Sequence, residues 1–413
     1  MTTASFNQKL KEYARLTASM GVNVKEGQYV LLRCAVEAVE FGRMVQEECF
    51  KLGAKDVIFV LEDQRAARIR LDYASLEQFE NIPEWRAEQR NFYAREGCVC
   101  INIIAEDPEI FAGAPSDKMT ANTLAADRAF KEFYDIMLSG GMRWTIVAYP
   151  CEAWAKKVFP ELTAKKAIEK LWDAIFKTVR ITKGDPAKKW RRHDRVLKRR
   201  AKVLNGYAFK ALHYRNSLGT DLTIGLAENH IWMGGSDKSK DGVRYFANMP
   251  TEEIFTMPDC RYASGRVYSA LPLSYQGELI DKFWLEFKDG RVEDCGAEVG
   301  EHALRRLLDT DEGSRHLGEA ALIPYDSPIS NLGILFYNTL FDENASCHLA
   351  LGSCYPDTVK GGVKLTEDEL LERGGNKSAN HVDFMIGTAD MEITGITADG
   401  SEVPVFRDGG FVF

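Results

Sequence analysis

Between Lys25 and Pro150, four short apolar runs alternate with longer helical stretches. The runs are Tyr29–Leu32, Asp56–Leu61, Cys98–Ile104 and Trp144–Ala148; the stretches are Ala38–Lys51, Ser75–Arg95 and Ala121–Leu138. Runs this short suit strands buried on both faces, and the stretches between them are long enough for helical crossovers. The alternation therefore predicts βαβ units, a parallel sheet with helices on its faces. The turn after the first run, Arg33-Cys-Ala-Val-Glu37, has neither the Gly-x-Gly-x-x-Gly pattern nor a Walker lysine. That argues against a nucleotide site and leaves this half as a scaffold that shapes a cleft or a subunit interface. Ahead of it, Ser5 to Gln8 reads as a capping box. It opens a helix whose apolar stripe is Phe6, Leu10, Tyr13 and Ala14.

Residues 152–205 read as almost entirely helical, punctuated by Pro160, Gly184 and Pro186. Lys188–Lys202 carries nine basic residues. In a chain of net charge −8 it is expected to be a solvated helix face rather than a nucleic-acid site. A domain boundary is placed here, giving an α/β scaffold over 1–187 and an α+β domain over 188–413. Beyond Gly206 short strands dominate: 208–214, 220–226, 266–270 and 283–288. Asp289-Gly290 and Asp399-Gly400 supply hairpin turns, and a helix over 300–308 packs on the sheet through Ala303, Leu304, Leu307 and Leu308.

The 413 residues are 45% hydrophobic and 28% charged, ordinary values for a soluble globular chain. No apolar run approaches the length that spans a bilayer, and the N-terminus lacks the basic start and apolar core of a secretory signal. Nine cysteines, an odd number with no Cys-x-x-Cys, lie mostly in apolar stretches. Reduced thiols in the cytoplasm are expected.

Chemistry gathers in the second half. His381-Val-Asp383 begins a strand, so alternation puts His381 and Asp383 on one face and Val382, Phe384 and Ile386 on the other, toward a core. His348 lies in Ser-Cys-His-Leu-Ala-Leu-Gly, again strand-like. It follows Glu343 by five residues and precedes Tyr355 by seven. Neutral imidazoles with carboxylates form a ligand set for zinc, manganese or cobalt. Two further acidic sites stand out. Glu252 and Glu253 are adjacent between Pro250 and Pro258 in a β-rich segment. Glu319, read as a strand residue, shares a face with Leu317, Ala321 and Ile323. An ionised carboxylate there is costly unless paired or metal-bound. Glu253, Glu319, Glu343, His348, His381 and Asp383 make six candidate ligands, more than one tetrahedral ion with an open position needs. Six suit two ions sharing a bridging carboxylate. The chain contains no His-Glu-x-x-His.

The stretches Pro250-Thr-Glu-Glu-Ile-Phe-Thr, Gly318-Glu-Ala-Ala-Leu-Ile-Pro, Glu343-Asn-Ala-Ser-Cys-His-Leu-Ala-Leu-Gly352 and Asn380-His-Val-Asp383 resemble the aminopeptidase T / aminopeptidase S (PepS) family of bacterial metallo-aminopeptidases, most nearly its PepS members from Gram-positive bacteria. The resemblance runs nearly end to end. It implies a metal-dependent aminopeptidase that removes N-terminal residues from peptides at a dinuclear centre. It implies Glu253 as first ligand, Glu319 as the bridging one, then Glu343, His348, His381 and Asp383, with Tyr355 near the metals. It also implies a homodimer and activity with zinc, cobalt, manganese or magnesium, two divalent ions per chain.

On that reading Glu252 is the candidate proton carrier to the leaving amine, and Tyr355 the candidate donor to the tetrahedral oxyanion. Two rival readings use the same residues. A dinuclear phosphoesterase needs cations beside the ligands, for which Arg373 and Lys377 are the candidates. A metal-stabilised binding protein would instead act through the basic helix near Arg191.

Overall fold

Tyr29–Ala35 (β1) lies inside a parallel sheet, and only Tyr29 and Arg33 along it are partly exposed. It pairs with Asp56–Glu62 (β2) on one side and Val99–Ile104 (β3) on the other; Trp144–Ala148 (β4) follows β3. The order is β2-β1-β3-β4, all parallel, as the alternation requires. Asn248–Met249 adds a short parallel pairing to the free edge of β4. The helical stretch expected over Ser75–Arg95 is cut at Pro83, giving Glu77–Glu80 and Glu84–Arg95. That expected over Ala121–Leu138 is two helices, Ser116–Ala129 and Lys131–Leu138. The first helix is already formed at Thr3, so Ser5 sits within it rather than capping it.

The computed structural model describes residues 3–413. The chain forms two units: residues up to Arg191 with Ser236–Pro250, and Arg192–Gly235 with Thr251–Phe413. Among the described residues no helix is long and apolar enough to cross a membrane. All nine cysteines are free thiols, buried except for Cys260 and Cys354.

In the second unit a nine-stranded and a five-stranded antiparallel sheet share one core. Leu212, Leu222, Ile224, Phe283 and Leu285 come from the larger sheet; Leu317, Leu322, Leu349, Leu351 and Phe384 come from the smaller. The helix Glu301–Leu308 adds Ala303, Leu304, Leu307 and Leu308, the four residues its periodicity marks. The hairpin at Asp289-Gly290 joins Glu278–Lys288 to Arg291–Val299. Both turn residues have positive φ, 49° and 82°, the primed geometry that Asp-Gly favours. On the helix Pro186–Tyr207, Leu197, Ala201 and Leu204 face the core. Lys188, Arg191, Arg192, Arg195, Arg199 and Lys202 face solvent.

Candidate metal centre

The smaller sheet carries the site on the face away from the core. Its strands Ile254–Thr256 (β5), Leu317–Leu322 (β6), His348–Gly352 (β7) and His381–Met385 (β8) lie in the order β8-β7-β6-β5. Glu319 stands opposite Ala350, and Ala350 opposite Asp383; His348 stands opposite Ala321, and His381 opposite Gly352. A small residue therefore lies beside each long ligand, which lets side chains from different strands lean together over Ala350.

One face assignment from the sequence is corrected here. Glu319 does not share a face with Leu317, because the register slips between them: two steps along β6 oppose one along β7. This bulge sends Leu317, Ala320 and Leu322 into the core and frees Glu319 to face the site. Gly318 occupies it, where a Cβ would lie 2.3 Å from the Gly352 carbonyl oxygen and 2.4 Å from that of Ser353. Gly318→Ala is expected to cost about 1–3 kcal/mol of unfolding free energy. Urea denaturation checks this, and an unchanged midpoint would show that the bulge tolerates a methyl group.

His348 Nε2 lies 3.3 Å from Glu253 Oε2, 3.7 Å from Glu319 Oε1 and 3.8 Å from Asp383 Oδ1. His381 Nε2 lies 3.3 Å from Glu319 Oε2 and 3.5 Å from Asp383 Oδ1. Two groups able to hold a cation result: Glu253, Glu319 and His348, and Glu319, His381 and Asp383. Glu319 belongs to both and gives one carboxylate oxygen to each. The two rings are fixed in the orientation a ligand needs. His348 Nδ1 donates to the Glu343 carbonyl at 2.7 Å and His381 Nδ1 to the Ser353 carbonyl at 2.7 Å. A carbonyl only accepts, so each Nδ1 keeps its proton and each Nε2 offers its lone pair in the neutral ring. Asp383 Oδ1 is buried with no hydrogen-bond partner.

Without an ion the cluster holds protons. Burial opposes charge on His348, yet hydrogen bonding to Glu319 and the charges of Asp383, Glu253 and Glu319 push it up to about 10. His381 is likewise held well above the usual imidazole value, against its burial, by Asp383 and Glu319. Burial raises Glu253 to about 8; His348 opposes the shift, while Glu319 and Asp383 add to it. Glu343 is raised well above its ordinary value by burial and then by Asp383 and Glu253. Asp383 is lowered: the two imidazoles outweigh its burial. Buried carboxylates such as Glu253 and Glu343, pushed toward the neutral acid by burial and by neighbouring carboxylates, are an arrangement that divalent cations stabilise. The four carboxylates Glu253, Glu319, Glu343 and Asp383 match two such ions in charge.

Glu343 lies outside the two groups but beside them. It starts the turn Glu343–Ala345, and its Oε1 accepts from Asn344 Nδ2 at 3.2 Å. Glu252 is buried and turns toward the helix Pro186–Tyr207: its Oε2 lies 3.5 Å from His193. Its charge also acts on Arg200. Tyr355 packs on His381, ring centroids 4.6 Å apart, and is 38% exposed. The cations of the phosphoesterase reading are engaged elsewhere. Lys377 pairs with Glu367 at 2.6 Å, and Arg373 reaches the Lys360 carbonyl at 3.5 Å. Sequence reasoning missed Asn344 and the two carbonyls that fix the imidazoles, since backbone acceptors leave no mark in a residue pattern.

Residues 6–411 match the family model described as thermophilic metalloprotease (M29). The chain is 44% identical to aminopeptidase AmpS of Bacillus subtilis (strain 168), covering 99% of this chain and all of that one. It is 38% identical to aminopeptidase T of Thermus aquaticus, covering 99% of each. The solved structure of wild-type AmpT from Thermus thermophilus superposes with a TM-score of 0.92 at 38% identity, covering 99% of this chain and 100% of that one. A 2,5-dihydroxypyridine dioxygenase from Pseudomonas putida KT2440 shares the fold alone, with a TM-score of 0.53 at 13% identity and coverage of 100% and 98%.

Proposed function

The chain belongs to the thermophilic metalloprotease (M29) family and is a metallo-aminopeptidase acting on peptides, and from that premise we propose how its own residues do the work. We infer two divalent ions per chain, held by Glu253, Glu319, Glu343, His348, His381 and Asp383. The observation that carries this reading is Glu319, whose two oxygens face different imidazoles. With four carboxylates and two imidazoles, the set is permissive among zinc, cobalt, manganese and magnesium. Bound ions of this kind supply Lewis acidity toward a carbonyl and a more acidic water.

Tyr355 is proposed to donate its hydroxyl to the tetrahedral oxyanion. Its partial enclosure, then the charges of Glu319, Asp383 and Glu343, hold the phenol well above its ordinary value. It therefore keeps its proton and serves as a donor. Glu252 is proposed to take a proton from the attacking water and return it to the leaving amine. It is buried, with Oε2 3.5 Å from His193, an imidazole able to share the proton it carries. Residues 188–413 are proposed as the catalytic domain and 1–187 as its scaffold; every proposed ligand lies in the second unit. A cytoplasmic homodimer is proposed as the working form. Exposed Ile69, Tyr73 and Trp85 give the first unit apolar surface to cover, and the free thiols suit a reducing compartment.

The deciding experiment assays a panel of aminoacyl nitroanilides on chelator-stripped protein, with each of the four metals added back. Turnover should vanish on stripping and return with added metal, while nitrophenyl phosphate stays untouched. Metal-independent turnover would end this reading. Tyr355→Phe should lower kcat by about 10²–10³ with metal content unchanged. An unaltered kcat would leave Tyr355 a packing partner of His381.

A further inference from the structure

We propose that Asn344 is a positioning residue that fixes the carboxylate of Glu343 and the Glu252-Glu253 segment in one frame. The inference rests on the reading of Glu343 and Glu253 as metal ligands. Asn344 is wholly buried, and three of the four hydrogen-bonding positions of its amide are used. Its Oδ1 accepts from the Glu252 backbone N–H at 2.7 Å, across 92 residues of sequence. Its Nδ2 donates to the Leu340 carbonyl at 3.2 Å and to Glu343 Oε1 at 3.2 Å.

This amide has one workable orientation. Turned over, it would set its NH₂ against the Glu252 N–H and its oxygen against a carbonyl and a carboxylate. The consequences reach both ends of the site. At Glu343 the donor occupies Oε1 and leaves Oε2 for the cluster. At Glu252 the same amide anchors the backbone of the residue just before Glu253, whose carboxylate lies 3.3 Å from His348. The turn Glu343–Ala345 and the segment leading into β5 are otherwise separate pieces of chain. A partner that orients a ligand typically contributes 10–100-fold in metal affinity.

The test titrates Zn²⁺ against a chromophoric chelator with full-length protein stripped of metal, comparing wild type, Asn344→Asp and Glu343→Gln. Asn344→Asp keeps the acceptor for Glu252 and the side-chain shape but replaces the donor facing Glu343 and the Leu340 carbonyl with an oxygen. Zinc affinity is expected to fall about 10–100-fold, and the melting temperature of the stripped protein is expected to fall as well, since the new oxygen faces the Leu340 carbonyl and the Glu343 carboxylate. A purely structural role would lower the melting temperature and leave affinity within twofold; that result overturns the proposal. If Asn344→Asp does not fold, Asn344→Ser is read in the same titration with the same expected loss. Glu343→Gln separates the proposal from its premise. If Glu343→Gln leaves affinity and stoichiometry intact, the ligand reading itself fails. If it weakens zinc while Asn344→Asp does not, only the role of Asn344 falls.

Discussion

Glu319→Gln is expected to lower kcat/KM by at least about 10⁴-fold and to leave the protein short of metal. An enzyme of this kind accelerates its reaction by 10⁶ or more, and most of that depends on an intact centre. The size of the effect follows from the position of the residue. Glu319 is buried, stands in the row Glu319–Ala350–Asp383 across three strands, and gives Oε1 to the His348 side and Oε2 to the His381 side. The amide replaces one of those oxygens with NH₂, which binds no cation and carries no charge. Both groups lose a ligand or its charge at once, whereas a change at Glu253 or His381 touches one group only. The substitution keeps volume and the bulge at Gly318, so the fold should survive. Metal content by mass spectrometry beside the kinetics decides the matter. A full complement of metal with normal turnover would remove Glu319 from the centre.

The pieces that carry the candidate ligands were legible because each is short and local. His381-Val-Asp383 needs only strand alternation to put both side chains on one face, and the structure has them in β8 facing Glu319. The parallel sheet of the first half was legible for a similar reason: β1 to β4 are apolar runs that could be buried in few other ways. What the sequence withheld depends on partners distant in the chain. The face of Glu319 came out wrong relative to Leu317 because a bulge adds one residue, and alternation counts straight through it. Gly318 was its visible trace, yet a glycine in a strand does not say which carbonyls crowd it. The return of 236–250 to the first unit depends on the pairing of Asn248–Met249 with β4, a parallel contact across about a hundred residues. The burial of Glu252 was not legible, because two adjacent glutamates are usually solvated. Its carboxylate is buried against His193, on a helix whose exposed face is largely basic.

Protons and metal ions should compete for the same lone pairs, with opposite consequences for the stripped and the loaded protein. In the stripped protein His348 is raised to about 10 and His381 is also raised, against an ordinary value near 6.5; Glu253 is raised to about 8 against 4.5. Each of these groups holds a proton in the folded state that the unfolded chain has already lost. Stability is then greatest below the unfolded values and falls as pH rises, for Glu253 from about 4.5 to 8 and for His348 from about 6.5 to 10. The slope is about 1.4 kcal/mol per pH unit for each extra proton held. Asp383, lowered from 3.8, has the opposite sign, but its window lies below that value. Metal binds the deprotonated ligands, so its affinity, and the stabilisation it adds, grow over the same rise in pH. The melting temperature of stripped protein should therefore drop between pH 6 and 9 while the gap between loaded and stripped protein widens. The acid limb of kcat/KM should move to lower pH when metal concentration is raised. Calorimetry on both forms, with pH–rate profiles at two metal concentrations, tests each part. A stripped protein whose melting temperature climbs from pH 6 to 9 would mean that the imidazoles and Glu253 do not share protons in the empty cluster. An acid limb indifferent to metal would assign it to a proton-transferring group such as Glu252 instead of to the ligands.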